Sequence, residues 1–168
     1  MAALFAFKCS QCGEVHEGSP SFSYPEPAPF AEQNDEVRKE GLLNSDLCRY
    51  IDEEGPHFFI RVCLEIPIQG VEEPFLWGVW VSLSEESYLK YVEDYESPNP
   101  DGSFFGWFCN YLPYYASTYA LPTMVHPQSG GSRPLITLEQ SEHELCQDFH
   151  RGISPEKAQE IAEIAWHR

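Results

Sequence analysis

The sequence predicts a single α+β domain, in which helices pack against an antiparallel β-sheet and a Cys-x-x-Cys knuckle lies near the N-terminus. Apolar and polar residues alternate along two neighbouring segments, as in half-buried strands, and capped helical segments lie on both sides of them. A chain of 168 residues without repeats or linkers suits one domain. Within it we expect a knuckle segment at 1–18, a proline-rich extended segment at 19–33, and the sheet and helices at 34–168.

The first element is a short apolar strand at 4–7, which leads into the knuckle. The four prolines between positions 19 and 29 then predict an extended surface segment, because proline lacks a backbone donor and disrupts helix interiors. A polar helix follows, capped by Asn34 and ended by Gly41.

The strongest periodicity lies in the next two segments, 57–66 and 75–83. Each carries apolar side chains at every second position, so the pair predicts an antiparallel hairpin. The predicted core faces are Phe58, Ile60, Val62, Leu64 and Ile66 on one strand and Phe75, Trp77, Val79, Val81 and Leu83 on the other.

The last third of the chain alternates between helices and aromatic strands. Ser84 caps a helix that ends before the proline-rich turn at 97–102. Strands at 104–112 and 118–126 are expected at sheet edges, which tolerate Pro113 and Pro122, and a last strand is expected at 134–139. Two helices close the chain, one at 142–149 and one that begins at the cap Ser154 with Pro155 in its first turn.

The knuckle Cys9-x-x-Cys12-Gly13 is the clearest chemical motif. Two thiolates two residues apart in a tight turn can bind one soft metal ion, and His16 is close enough to be a third ligand. Cys48 is the next cysteine, on a segment that could fold back and complete the set. The sequence therefore predicts a zinc site formed by Cys9, Cys12, His16 and Cys48.

Two other interpretations of the cysteine pair stay open, a reduced knuckle without metal and a redox pair. The redox interpretation is the weaker one, because a thioredoxin-type motif places its first cysteine at a helix N-terminus, whereas Gly13 favours a turn. For a metal site, four protein ligands indicate a structural role. Three would leave a position for water and permit hydrolysis, with an acid such as Asp46 as the base.

Three further groups have alternative interpretations. His143, Cys146 and His150 share one face of a predicted helix, which fits a metal site less well than a solvated face. A catalytic pair of Cys109 with His126 is disfavoured, since burial would quench the thiol. Between small neighbours, Trp80 either packs beneath a helix or forms an interaction patch with Phe59 and Trp107.

Composition narrows the classes of partner. Ten Lys plus Arg against 27 Asp plus Glu give a net charge of −17, which disfavours nucleic acid and membrane surfaces and favours a basic protein partner. Solubility alone is the preferred explanation of this charge, and attraction of basic proteins or cationic ligands is the other. Without a signal-peptide pattern or a run of about 20 apolar residues, the chain is expected in the cytoplasm, with its cysteines reduced.

Several motifs resemble those of one bacterial family of uncharacterised proteins, the domain-of-unknown-function family numbered 2199. The resemblance extends over nearly the whole chain and includes the stretches Cys9-x-x-Cys12-Gly13-x-x-His16, Ser45-Asp46-Leu47-Cys48, His57-Phe58-Phe59-Ile60-Arg61, Trp77-Gly78-Val79-Trp80, Phe105-Gly106-Trp107, Arg133-Pro134 and Glu142-His143-Glu144-Leu145. The resemblance implies a single domain in which the N-terminal motif is important, and it assigns no role in catalysis to any residue. We therefore expect a non-enzymatic protein-interaction module with a structural zinc knuckle, and a metal-dependent hydrolase as the alternative.

Overall fold

A computed structural model describes residues 4–100 and 102–167 of the chain. The described part is an α+β structure with ten strands, five α-helices and one 3₁₀ turn at Ser129–Gly131. The strands are β1 (Ala6–Lys8), β2 (Val15–Glu17), β3 (Ser21–Ser23), β4 (Leu42–Leu43), β5 (Leu47–Asp52), β6 (Gly55–Ile66), β7 (Phe75–Leu83), β8 (Phe104–Phe108), β9 (Pro122–His126) and β10 (Leu135–Leu138). The helices are α1 (Ala28–Ala31), α2 (Asp35–Glu40), α3 (Glu85–Glu93), α4 (Glu144–Arg151) and α5 (Pro155–His167).

The main sheet has eight strands and is mostly antiparallel, but it closes on itself, which the sequence did not predict. Strands β6, β7, β8, β9 and β10 form a ring, because β10 pairs in parallel with β6 at Leu135 and Cys63. Closure is possible because β6 spans 12 residues. Its first half pairs with β5, and the rest of the same edge remains available to β10.

The predicted hairpin of β6 and β7 is confirmed, and its apolar faces lie inside the ring. All ten side chains predicted to face the core belong to the main hydrophobic cluster or pack against it. Apolar residues of α3, α4 and α5 join the same cluster, among them Tyr88, Leu145 and Ile161. The alternating pattern therefore correctly identified the inner face of the barrel.

The proline-rich segment is not simply extended on the surface. It contains β3, which pairs in parallel with β7, and the one-turn helix α1. Phe30 of α1 covers Trp80, which is fully buried on the outer side of the ring, and the Trp80 indole N–H donates to the Tyr24 carbonyl over 2.9 Å. Trp80 therefore packs beneath a helix, as the preferred interpretation of the sequence had it, and the alternative patch with Phe59 and Trp107 does not form, because Phe59 is also buried there.

Three helix starts agree with the capping residues predicted from the sequence. The side chains of Asn34, Ser84 and Ser154 accept hydrogen bonds from backbone N–H groups in the first turns of α2, α3 and α5 over 2.9 to 3.1 Å. Helix α4 begins at Glu144, two residues later than predicted, because the His143 side chain caps it. In the described part of the chain, no helix has the length and apolar character needed to cross a membrane.

Candidate metal centre

The knuckle is the turn of a small β-hairpin. Strands β1 and β2 pair Phe7 with His16, and between them the Cys9 N–H donates to the Glu14 carbonyl over 2.8 Å. The Gly13 N–H donates to the Cys9 carbonyl over 2.9 Å, with Gly13 at a φ of 75°, a conformation that glycine adopts without strain. This turn holds two thiols beside the imidazole on β2.

The fourth side chain comes from the opposite end of the chain. His167, the last residue of α5, lies beside the knuckle, so that the ligand atoms of Cys9, Cys12, His16 and His167 are all within 4.8 Å of one another. The Cys9 Sγ to His167 Nε2 distance is 3.1 Å, and Cys12 Sγ to His16 Nε2 is 3.5 Å. Bonds of about 2.3 Å to sulfur and about 2.0 Å to nitrogen in a tetrahedron separate such atoms by roughly 3.5 Å. The cluster can therefore hold a metal ion.

Cys48 does not belong to this cluster, so the predicted set of four differs from the structure in one member. It lies in β5 with Phe59 as its pairing partner and is fully buried against Trp80 and Phe30. Burial, followed by the nearby Glu26 charge, raises the pKa of the Cys48 thiol to about 12. Because β5 is paired along its whole length with β6, this segment cannot fold back to the knuckle.

Helix α5 also positions the knuckle through its other side chains. The Glu163 carboxylate accepts from the Ser10 backbone N–H and from the Ser10 hydroxyl, each over 2.8 Å, and from the Gln159 amide over 3.1 Å. These bonds, led by the backbone one, hold the pKa of Glu163 below its usual range. The ring of Trp166 lies 4.3 Å from that of His16, between centroids. The hairpin is thus already attached to α5 by protein contacts.

The two thiols have different electrostatic environments. Burial raises the pKa of Cys9, but hydrogen bonds from the backbone N–H groups of Cys12 and Gln11 and from His167 outweigh it and lower the pKa to about 6. The Glu14 N–H favours the Cys12 thiolate, yet desolvation and the adjacent Cys9 raise the pKa of Cys12. Backbone N–H groups directed at sulfur are the environment that stabilises thiolate ligands.

In the second candidate metal cluster, formed by His143, Cys146 and His150, the side chains are already hydrogen-bonded or buried. Both ring nitrogens of His143 are engaged, one by the Leu145 N–H over 3.1 Å and one by carbonyl groups, while Cys146 is buried and His150 donates to the Leu138 carbonyl over 2.6 Å. These three residues cap and anchor α4.

The structure gives Cys109 and His126, the catalytic pair disfavoured from the sequence, separate partners. Cys109 lies in the hydrophobic cluster on the outer side of the ring, where burial raises its pKa to about 12, and its thiol donates to the Trp107 carbonyl over 3.3 Å. His126 bonds instead to the hydroxyl groups of Ser103 and Thr137 over 2.8 and 3.0 Å.

The sequence reasoning missed two features. No sequence motif indicates His167 as a ligand, because 158 positions separate it from Cys9. A second group, Asp52, Glu54 and His57, comes together at the β5–β6 turn. There the Asp52 carboxylate accepts hydrogen bonds from the Glu54 N–H and from His57, each over 2.9 Å. These bonds stabilise the turn and explain why the three side chains lie together.

Fold and site together define a single-chain α+β protein with a closed five-stranded ring and a Cys₂His₂ cluster that can hold a metal ion. The family model described as "Uncharacterized protein conserved in bacteria (DUF2199)" matches residues 8–153, and the chain belongs to this family. The match includes Cys9, Cys12 and His16 and ends before α5, which supplies His167. Comparison with curated proteins and with solved structures finds no match.

Proposed function

We propose that this protein is a non-enzymatic protein-interaction module in which a structural Zn²⁺ ion fastens the N-terminal hairpin to the C-terminal helix. One observation carries the proposal. Side chains from both ends of the chain, Cys9, Cys12, His16 and His167, converge with all ligand atoms within 4.8 Å. Because these segments are far apart in sequence and meet only in the folded chain, a metal ion bound there adds its binding free energy to the free energy of unfolding.

The ligand set favours zinc. Two thiolates and two imidazoles in a roughly tetrahedral arrangement are typical of structural Zn²⁺ sites, whereas Mg²⁺ and Ca²⁺ prefer oxygen ligands. The β1–β2 turn presents backbone N–H groups to the sulfurs, and Glu163 holds that turn on α5. Supporting contacts of this kind orient metal ligands and add to affinity.

The same ligand count argues against the hydrolase alternative. A hydrolytic zinc site keeps one position for water, and His167 would occupy that position here. Asp46, the acid considered as a base, is engaged elsewhere, since it accepts from the Arg133 guanidinium over 3.0 Å. The acid that the hydrolase alternative names as its base is therefore bound to a different part of the protein.

The interaction role rests on charge. With a net charge of −17, the protein attracts basic proteins and repels nucleic acid and anionic membranes at long range. All six cysteines are free thiols, which fits a reducing cytoplasm. We therefore propose a basic protein partner in that compartment.

The direct test is elemental mass spectrometry of protein purified without a metal-binding tag or chelator. We expect about one equivalent of zinc in the wild type and loss of zinc in Cys12→Ser and His167→Ala. Cys48→Ala, a buried cysteine outside the cluster, is the matched control and should keep its zinc. His167→Cys supplies a replacement thiolate and should keep it too.

Wild-type protein without zinc would overturn the proposal. So would full zinc occupancy in His167→Ala combined with loss of zinc in Cys48→Ala, because that result would restore the ligand set predicted from the sequence.

A further inference from the structure

Five exposed aromatic side chains lie on the hairpin formed by β8, β9 and the loop between them, and one of them, Tyr114, already has Lys157 Nζ 5.5 Å from its ring centre. The other four form the aromatic surface: Phe105, Trp107, Tyr111 and Tyr119, which are 40%, 47%, 49% and 41% exposed. Phe105 and Trp107 meet edge to face, with ring centroids 4.7 Å apart, and Tyr111 stacks on Tyr119 at 5.5 Å with an interplanar angle of 15°. Exposed aromatic residues that are already paired in this way are typical of binding surfaces.

The backbone beneath these rings is firmly held. The hairpin continues beyond its strands through a bond from the Ala120 N–H to the Phe108 carbonyl over 2.7 Å, and the Cys109 N–H attaches it to β7 by donating to the Trp80 carbonyl over 2.9 Å. The Tyr24 hydroxyl donates to the Tyr111 carbonyl over 2.8 Å. Because the backbone that carries the rings is already fixed, binding of a partner here would cost little additional conformational entropy.

The hairpin that carries the aromatic surface has no charged side chain of its own. Residues 104–126 contain no lysine, arginine, aspartate or glutamate. Glu32 lies near Tyr119, where burial, then Cys109 and Tyr111, and then the Glu32 charge raise the pKa of the Tyr119 hydroxyl. A cationic group that approaches Tyr119 therefore meets the Glu32 charge on a protein of net charge −17, and no lysine or arginine of the same hairpin competes with it.

We infer that the aromatic surface binds an arginine-rich segment of a partner protein. This inference rests on the proposed function and gives its basic partner a specific chemistry. A planar guanidinium stacks on aromatic faces and is only weakly hydrated, whereas the lysine ammonium is a strongly hydrated point charge. A second copy of the chain fits less well, because two molecules of net charge −17 repel each other.

The test compares two peptides of equal charge, octa-arginine and octa-lysine, by isothermal titration calorimetry near physiological salt. We expect the wild type to bind octa-arginine about fivefold more tightly. The double variant Trp107→Thr, Tyr111→Ser should bind both peptides equally. Leu89→Ser, which changes an apolar side chain that is 55% exposed on α3, is the matched control and should keep the preference.

The outcomes separate this surface from the proposed function. If the wild type binds both peptides equally, or if the double variant keeps the arginine preference, the surface assignment is overturned while an acidic interaction module remains. If neither peptide binds, the proposed basic partner itself fails.

Two controls accompany the titrations. Zinc content and melting temperature of each variant show that the fold is intact. Sedimentation that detects a dimer in the wild type but not in the double variant would assign the surface to a second copy and overturn the inference.

Discussion

Zinc removal is the perturbation that most directly tests how the two ends of this chain are joined. A ligand that binds only the folded state at 100 times its dissociation constant adds about 2.7 kcal/mol to the free energy of unfolding. For 168 residues the unfolding entropy near the melting temperature is roughly 350 cal/mol/K. When a chelator removes zinc from protein that was kept at this zinc concentration, the melting temperature should therefore fall by about 8 °C.

The structure also predicts where the effect should appear. The zinc ligands lie in the β1–β2 hairpin and at the end of α5, whereas most residues of the main hydrophobic cluster come from the ring of β6 to β10 and the helices packed on it. Without metal, Phe5 and Phe7 of the hairpin still pack on that core, and Glu163 still holds Ser10. Loss of zinc should therefore loosen the hairpin before the barrel.

Differential scanning calorimetry measures the shift, and native-state hydrogen exchange locates it. Amides of β1, β2 and the last turn of α5 should exchange faster after chelation, while those of β6 and β7 keep their protection. Cys48→Ala should show the same shift on chelation from a lower starting temperature, and His167→Ala should show little shift at all. A melting temperature that does not respond to chelation in the wild type would refute the reasoning.

Three further changes are predicted from single contacts. Glu163→Gln should lower zinc affinity about tenfold, measured by competition with a chelator, because Glu163 orients the knuckle through Ser10. Gly106→Ala should cost about 1 to 3 kcal/mol in chemical denaturation, because its Cβ would lie 3.2 Å from both the Ser82 carbonyl oxygen and the Val81 Cβ. Asp46→Asn should cost up to about 1 kcal/mol near neutral pH and little under acid conditions, measured by denaturation at several pH values.

The sign of the last prediction follows from the Asp46 environment. Desolvation alone would raise the pKa of Asp46, but hydrogen bonds from Arg133 and Ser45 lower it below its usual value. A carboxyl group with a lowered pKa in the folded state contributes stability above its unfolded pKa and loses it as the pH falls through its folded pKa. A cost of Asp46→Asn that grows toward acid pH would contradict this reasoning.

The predictions for Glu163→Gln and Gly106→Ala can each be contradicted by experiment. Glu163→Asp retains the charge with a shorter reach and serves as the comparison for Glu163→Gln. Unchanged zinc affinity in both would show that the knuckle does not depend on α5 for its orientation. Unchanged stability in Gly106→Ala would show that the barrel interior can relax around an added methyl group.

Much of the secondary structure could be predicted because it depends on local rules. The alternation along β6 and β7 identifies their core faces, and Asn34, Ser84 and Ser154 mark helix starts through bonds within one turn. The proline-rich segment was harder. Its strand β3 and helix α1 exist because β7 offers a free edge and Trp80 an apolar surface to cover, and neither is visible in the segment itself.

Local patterns were enough to predict the alternating strands, the capped helices, the acidic charge and three candidate ligands of the knuckle, Cys9, Cys12 and His16. Closure of the sheet into a ring, burial of Cys48 in a separate core and completion of the cluster by His167 became visible with the tertiary structure. Local patterns depend on neighbours a few positions apart. Which distant residues meet depends on how the whole chain packs its core, and the path of α5 to the knuckle is a result of that packing.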